Sequence, residues 1–379
     1  MKLLHLSDLH LGKRVNGFSM IEDQTYILEQ ILSVIDVEQP DGILIAGDIY
    51  DKAVPSEEAV RLFDLFLTRL AADKRQVLLI SGNHDSPERL SFGGRLMDGS
   101  GIHIAPVYDG TVTPVTLCDA YGTVNIFPLP FIKPAHVRRY YPEENTETYT
   151  DALRVAIGHM VIPPDARNIL MTHQFVAGAE RSDSEERSVG GTDEVSASVF
   201  APFDYVALGH IHGPQNIEAG RIRYCGTPLK YSFSEANHQK SATVVELYEK
   251  GRLTVRSVPL TPLRDMRQLR GTYAVLTLKS FYEGTDYPEA YTHITLTDEE
   301  DIPDAVNKLR VIYKNLMRLD YDNTRTRHQA DFGDIAITGA QSPLSLFADF
   351  YRAQNGRDLS ARQEERLKTL IEKIWEGSL

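Results

Sequence analysis

Gln76-Val77-Leu78-Leu79-Ile80-Ser81-Gly82-Asn83-His84-Asp85 is the stretch on which the fold is read. A short apolar run stops abruptly at a glycine, an amide, an imidazole and a carboxylate. Continuous apolar runs of this length, bounded by Gly, Asp or Asn, suit strands buried on both faces of a sheet. Working outward, residues 2–7, 42–46, 169–172 and 205–208 have the same form. Two helical candidates, 21–37 and 56–72, separate the first three runs. The second opens with Ser56 as an N-cap and with Glu57 and Glu58 in its first turn, where the helix dipole favours acids. Its Val60, Phe63, Leu67 and Leu70 follow helical spacing. The alternation predicts a layered α/β domain.

Each run is followed by residues that carry chemistry. In chain order they are Asp8-Leu9-His10, Gly47-Asp48-Ile49-Tyr50-Asp51, Gly82-Asn83-His84-Asp85, His173 and Gly209-His210-Ile211-His212. Loops at the carboxyl ends of strands in an open α/β sheet converge on the ligand crevice. Hard oxygen donors mixed with imidazoles, and no thiolate, suit Mn, Fe or Zn better than Ca or a structural zinc. Asp8, His10, Asp48, Asn83, His173, His210 and His212 are too many ligands for one tetrahedral ion. With Asp48 bridging, they divide between two ions able to clamp both oxygens of an in-line phosphoryl displacement.

The chain of 379 residues is long enough for two or three domains. A net charge of −13 argues against an autonomous tight binder of DNA, since such binding gains from Lys and Arg displacing counterions. Bound cations or a partner would reconcile that charge with phosphoryl chemistry on a nucleic acid. Cys118 and Cys225 have no metal-ligand spacing and read as buried thiols of a reduced compartment. The apolar stretch at the N-terminus is too short for a signal peptide, and no run approaches the ~20 apolar residues of a membrane span. A cytoplasmic protein is expected.

Residues 177–198 are rich in Gly, Ser and charge and read as a mobile surface loop beside the chemistry. Two β-rich stretches within 243–258 flank Glu249-Lys250-Gly251, a hairpin signal. Pro259 and Pro262 then suggest a boundary, so 1–260 is expected to be the main domain. Residues 261–340 read as a small α+β domain with strands at 273–278, 291–296 and 316–321 and a helix from about Pro303. Residues 341–379 read as a helical pair. Leu344, Phe347, Ala348 and Tyr351 share a face in the first helix. Ser360 and Gln363 form a capping box for the second, with a stripe at Leu367, Leu370, Ile371 and Ile374.

The five fragments together resemble the signature of the calcineurin-like metallophosphoesterases. Residues 81–90, 226–235 and Val189-Gly190-Gly191-Thr192-Asp193 are similar to the SbcD branch, nuclease subunits of break-processing complexes. The resemblance spans nearly the whole chain and implies a layered metallophosphoesterase sandwich, a capping domain and a C-terminal helical pair. It implies one metal on Asp8, His10, Asp48 and His212, and a second on Asp48, Asn83, His173 and His210. His84 is implied as the catalytic residue beside the scissile phosphate, oriented by Asp51. Two Mn²⁺ ions are implied, with Mg²⁺ as the alternative. The implied activity is a 3′→5′ exonuclease on duplex DNA and an endonuclease on single strands and hairpins. The implied partners are DNA, a second copy of the chain, and an SbcC-type ATPase docked on the tail helices.

Plainer readings stand beside these. His5 reads as buried rather than ligating. His103, His136, His159, His238, His293 and His328 read as surface or packing residues, and Asp85 as a backbone-bonding turn acid. Lys133, Arg138 and Arg139 fit a solvated face as well as a phosphate contact. Residues 262–334 hold ten Lys and Arg against thirteen Asp and Glu, so composition does not make them a basic clamp. A phosphatase or cyclic-nucleotide phosphodiesterase on the same scaffold is the alternative enzyme. An interaction platform for an ATPase is the alternative class. No Gly-x-x-x-x-Gly-Lys-Ser/Thr pattern occurs, so ATP dependence would come from a partner.

Overall fold

The three N-terminal apolar runs form the middle of one sheet. In the computed structural model, which describes residues 1–72, 75–185, 193–329, 343–355 and 357–376, they are β1 (Lys2–Leu6), β2 (Gly42–Ala46) and β3 (Gln76–Ile80). Ile102–Ala105 extends this parallel array beyond β3. Parallel neighbours need crossovers, and α1 (Ile21–Glu38) and α2 (Glu57–Ala71) supply two of them. The Ser56 hydroxyl accepts from the Ala59 amide at 3.3 Å, capping α2 as expected. The buried face of α2 is Ala59, Phe63, Phe66, Leu67 and Leu70. Val60, expected on that face, lies one position off it and is exposed.

The expected hairpin closes the other side of this sheet. Ser241–Leu247 pairs antiparallel with β1, and Leu253–Pro259 pairs with Ser241–Leu247. The two later runs are the middle of a second sheet, β4 (Arg167–His173) and β5 (Tyr205–Gly209), parallel to each other. Gly122–Pro128 and Ile222–Tyr224 flank them in parallel. Val115–Asp119 and Gln215–Ile217 close the edges in antiparallel fashion.

Side-chain alternation along the strands packs the two sheets face to face. Leu3, Leu44, Leu78 and Ile80 meet Ile169, Met171, Tyr205 and Ala207 in one cluster. The opposite face of the second sheet carries Leu170, Val206 and Leu208. They pack with Leu153, Ala156 and Ile157 of the helix Tyr149–Gly158. The layered α/β class is therefore observed.

Contacts divide the chain into two units, Met1–Asp265 and Met266–Leu379. The first break thus falls a few residues after the prolines that suggested it. The second unit has a parallel sheet of Met266–Gly271, Tyr291–Leu296 and Asn315–Tyr321, with the helix Ala305–Arg310. One expectation is corrected here: 273–278 is not a strand. Thr272 caps a short helix, Tyr273–Leu276, through the Val275 amide, and Leu276 enters the core beside Leu269 and Ile294. The strand is the more polar segment just before it. Helices Pro343–Asn355 and Ala361–Glu376 belong to this unit as well. In the expected box the Ser360 amide donates to Gln363 Oε1 at 2.9 Å, and the Gln363 amide to the Ser360 hydroxyl at 3.4 Å.

Two further findings concern residues read from composition. Cys118 is exposed on an edge strand, whereas Cys225 is buried, and both are free thiols. The described parts of 177–198 lie at the surface as expected, with Ala177, Gly178, Glu180, Asp183, Glu194, Ser196 and Ser198 exposed, but they are tied to the domain at a few points. The Ala177 amide donates to the Val195 carbonyl at 2.9 Å, Val176 and Val195 are fully buried, and Glu185 is buried as well. Residues 186–192, which carry most of the Val189-Gly190-Gly191-Thr192-Asp193 motif, lie outside the described residues. Among the described residues no helix is long and apolar enough to cross a membrane.

Candidate metal centre

All seven ligand candidates sit where β1 to β5 end, and the loops between them are sewn together by backbone bonds. The Asp8 amide donates to the Gly47 carbonyl and the His10 amide to the Asp48 carbonyl, both at 3.0 Å. Asp8, His10, Asp48 and His210 all have positive φ, at 54°, 45°, 51° and 103°. Non-glycine residues seldom adopt this region, and such strain concentrates at functional sites. The first loop is held in place by α1 and by Tyr231. Gln24 Nε2 donates to the His10 carbonyl at 2.7 Å and to the Tyr231 hydroxyl at 3.0 Å, and that hydroxyl donates to the Leu9 carbonyl at 2.7 Å.

The motif glycines are explained by close approach. A Cβ on Gly82 would lie 2.0 Å from Asp48 Oδ1, and one on Gly209 would lie 2.0 Å from the Ala46 carbonyl oxygen. Asp85 takes the backbone role expected of it. Its carboxylate accepts from the Ile49, Tyr50 and Gly82 amides at 2.9–3.1 Å. Burial pushes it up to about 6, with the nearby Asp48 adding to the effect.

The functional atoms converge in two overlapping groups. His10 Nε2 and His212 Nε2 are 3.1 Å apart, and His10 Nε2 is 3.6 Å from Asp48 Oδ2. On the other side, Asn83 Oδ1 lies 3.1 Å from His173 Nε2 and 2.9 Å from His210 Nδ1. Asp48 Oδ2 is 3.3 Å from His173 Nε2, which places this carboxylate against both groups. Asp8 accepts from the His210 amide at 3.0 Å and has an oxygen 4.0 Å from His173 Nε2. Asp8, His10 and His212 offer atoms all within 4.8 Å of one another, as do Asp8, Asp48 and His173.

The donor set fits divalent cations. Asp8 and Asp48 are 0% and 2% exposed, and the groups that face them with positive charge are imidazoles. Burial pushes Asp8 up to about 6, against the pull of His173. Burial would also raise Asp48, but His173, His10 and His84 hold it well below the usual carboxylate range. His173 would be lowered by burial; the two carboxylates instead raise it to about 9. Two buried carboxylates with only imidazoles around them make a centre suited to positive charge. His173 Nδ1 donates to the Ala46 carbonyl at 2.8 Å, which aims Nε2 inward as a ligand requires.

His84 and Asp51 meet differently from the expectation. His84 Nδ1 bonds the main-chain carbonyl of Asp51 at 3.0 Å, so a carbonyl orients the ring. The Asp51 carboxylate takes Lys13 Nζ at 2.6 Å and lies 3.7 Å from His10 Nδ1. The His84 amide donates to Asp48 Oδ1 at 2.9 Å, fixing its loop to the shared carboxylate.

The plain readings of other residues agree with their surroundings. His5 is fully buried on β1, bonds the Tyr205 hydroxyl at 2.9 Å, and is lowered by burial to about 3. His103 bonds Gln76, His159 stacks on Tyr141, and His293 pairs with Asp320. The His328 side chain lies outside the described residues. Arg138 donates to the Thr146 carbonyl at 2.6 Å, Lys133 sits 5.9 Å from the Phe131 ring, and Arg139 lies over Tyr140. Sequence reasoning missed Lys13, Gln24, Ser184, Tyr231, Glu235 and Lys240. Tyr231 and Glu235 carried a signal as members of the 226–235 segment, and Ser184 as part of the 177–198 loop read as lying beside the chemistry.

Comparison with known proteins gives the family. The profile of the calcineurin-like phosphoesterase family matches residues 1–214. That of a domain described as the type 5 capsule protein repressor C-terminal domain matches 262–355. The chain is 34% identical over 378 residues to the D component of the nuclease SbcCD from Staphylococcus epidermidis, covering 99% of each chain. It is 32% identical over 384 aligned positions to the protein of the same name from Staphylococcus saprophyticus, again covering 99% of each. Among solved structures, TT1561 of Thermus thermophilus matches with 13% identity and a TM-score of 0.37, over 68% of this chain and 98% of that one.

Proposed function

The chain belongs to the SbcD group of calcineurin-like phosphoesterases, and on that premise we propose that it is a two-metal DNA phosphodiesterase. The observation that carries this reading is the buried meeting of two carboxylates, one amide oxygen and four imidazoles at the ends of five strands. One ion is assigned to Asp8, His10, Asp48 and His212, and the other to Asp48, Asn83, His173 and His210. Mn²⁺ is the favoured ion, with Mg²⁺ as the alternative, on the family resemblance; the donors themselves, oxygen and imidazole without thiolate, suit Mn, Fe or Zn. Bound there, the ions supply Lewis-acid neutralisation of phosphate charge and lower the pKa of water.

The chain's own contribution is positional and acid–base. With Nδ1 on the Asp51 carbonyl orienting the ring, His84 is assigned to protonate the leaving 3′ oxygen as a general acid. Lys13, paired with Asp51 at the same rim, adds positive charge beside an incoming phosphate. The finer activity is 3′→5′ exonuclease action on duplex ends and endonuclease action on single strands and hairpins, in repair and recombination in the cytoplasm.

Residues 1–260 are assigned the nuclease, 261–340 the cap, and 341–379 the docking helices for an SbcC-type ATPase. Supporting the last assignment, Phe347, Phe350 and Leu370 are exposed, and a groove of about 980 Å³ runs along Phe347, Tyr351, Leu359, Leu367 and Leu370. Removing 341–379 is expected to abolish capture of that ATPase in pull-downs while metal-dependent cleavage persists; retained capture overturns the assignment. For the homodimer, the support is Phe92 and Leu96, each 87% exposed. Phe92 joins Tyr50, Phe63, Leu67 and Leu90 in lining a second groove.

The test of the proposed chemistry is cleavage of an end-labelled duplex with Mn²⁺, Mg²⁺ or chelator, beside a cyclic nucleotide and a phosphopeptide. Metal-dependent shortening of the duplex, lost in Asp48→Asn, is the expected result. Turnover of the small substrates with the duplex intact would make the protein a phosphatase or cyclic-nucleotide phosphodiesterase instead.

A further inference from the structure

Behind His212 runs a buried polar chain that none of the chemistry above uses. Lys240 and Glu235 form an ion pair with side chains only 3% and 0% exposed. An ammonium has three protons to place. Those of Lys240 go to Glu235, to the His212 carbonyl at 2.8 Å and to Thr227 Oγ1 at 2.7 Å. A buried ion pair is weak evidence for stability, because desolvation offsets most of its attraction. What the pair does locally is more informative.

Glu235 Oε1 accepts the Ser184 hydroxyl proton at 2.5 Å. Ser184 Oγ also lies 2.6 Å from His212 Nδ1. With its one proton given to the carboxylate, the hydroxyl meets His212 only as an acceptor, so Nδ1 carries the hydrogen. The lone pair of His212 is thereby placed on Nε2, the atom 3.1 Å from His10 Nε2. Charge on Glu235, balanced by Lys240, thus reaches the imidazole both through this hydroxyl and directly, Glu235 Oε1 lying 3.5 Å from His212 Nδ1.

The segment that supplies Ser184 holds His212 a second time. Glu185, 8% exposed, accepts the His212 amide at 2.7 Å and the Ser182 hydroxyl at 2.8 Å. The Asp183 amide donates to Ser234 Oγ at 3.0 Å, and the Glu180 amide to Gln215 Oε1 at 2.9 Å. Ring and backbone of one ligand candidate are therefore both gripped by residues 182–185.

We propose that Ser184, Glu235 and Lys240 are positioning residues for His212, so that docking of residues 182–185 and loading of the ion shared with Asp8 and His10 favour each other. The inference rests on the two-metal reading. It follows because partners of a ligating histidine fix its tautomer and raise its basicity. Coupling between two binding events is also reciprocal. An ion on His212 stabilises the docked segment by as much as docking tightens the ion.

Titration calorimetry of the metal-free protein with Mn²⁺ tests this directly. The wild type is expected to take up two ions. Ser184→Ala is expected to keep one at unchanged affinity and to bind the other roughly 10–100-fold more weakly, with thermal melting of the metal-free protein unaltered. Ser184→Thr, which retains the hydroxyl, returns most of the affinity, and Glu235→Gln repeats the loss by removing the charge. Hydrogen exchange at 182–185 slows on Mn²⁺ addition in the wild type and not in Ser184→Ala. Two ions bound at wild-type affinity by both Ser184→Ala and Glu235→Gln would overturn the inference. A wild type that binds no Mn²⁺ would fail earlier and differently, removing the metal centre itself.

Discussion

Replacing His84 by Ala is expected to lower kcat for duplex cleavage by roughly 10²–10⁴-fold, the usual worth of a positioned general acid. Metal uptake is the decisive companion measurement. His84, His10 and Asp48 offer nitrogen and oxygen atoms within 4.8 Å of one another, so geometry alone would also permit His84 to ligate. The two roles separate cleanly. A general acid lost to Ala leaves both Mn²⁺ ions bound in calorimetry and slows only the chemical step. A ligand lost to Ala weakens an ion and raises the Mn²⁺ concentration needed for half-maximal activity. The acid role is favoured because the His84 amide already ties the residue to Asp48, donating to Oδ1 at 2.9 Å, while Nδ1 is taken by the Asp51 carbonyl. A substrate carrying a good leaving group, which needs no protonation, should be cleaved by His84→Ala at close to the wild-type rate. Unchanged kcat on ordinary duplex ends would remove the assigned role.

The strands that carry the site were legible because they are buried on both faces, and their apolar runs are unbroken. β2 and β3 begin and end where the runs do, and β4 is longer than its run because Arg167 and Asn168 are buried polar residues. Edge strands such as Val115–Asp119 and Gln215–Ile217 alternate burial or are half covered, so their composition does not set them apart from loops. The misread of 273–278 has the same origin. Aromatic and β-branched residues favour strands, but Thr272 as an N-cap and the pull of Leu276 into the core decide for a helical turn. In the second unit the strand itself, Met266–Gly271, buries only Met266 and Leu269 and is otherwise polar.

The site divides along a similar line. Ligand types announce themselves in sequence because few other roles demand Asp-x-His or Gly-Asn-His-Asp after a strand. The residues that hold the ligands do not, because Ser, Glu and Lys are ordinary surface residues unless they are paired. Glu185, Glu235 and Lys240 are buried and Ser184 half-buried, each bonded to another of the four or to His212. Composition therefore read 177–198 as a surface loop without showing that its described parts also hold a ligand. The charge of −13 was similarly hard to interpret. Part of it is the pair of buried carboxylates at the centre, which compete for cations rather than repel DNA.

Gly82→Ala should disable the centre without removing a single ligand. The added methyl would stand 2.0 Å from Asp48 Oδ1, 2.5 Å from the Asp48 amide nitrogen and 2.6 Å from its carboxyl carbon. Two of these three atoms belong to the carboxylate assigned to both ions, and the third is backbone, so a rotamer change cannot relieve the clash. Asp48 is pinned at φ 51° by its own turn and by the His84 amide on Oδ1. Either the β3 loop or the β2 loop must therefore shift by about 1 Å, and a displacement of that size costs on the order of 10²-fold in rate. Because Asp48 faces both groups of ligands, calorimetry should show both Mn²⁺ ions weakened, in contrast to the single ion affected by Ser184→Ala. Gly158→Ala is the matched control: it meets nothing within 4 Å at the end of the helix Tyr149–Gly158 and should bind and cleave as the wild type does. Equal metal affinity and rate in Gly82→Ala would mean that Asp48 is free to move, and would remove its assignment as the carboxylate shared by two ions.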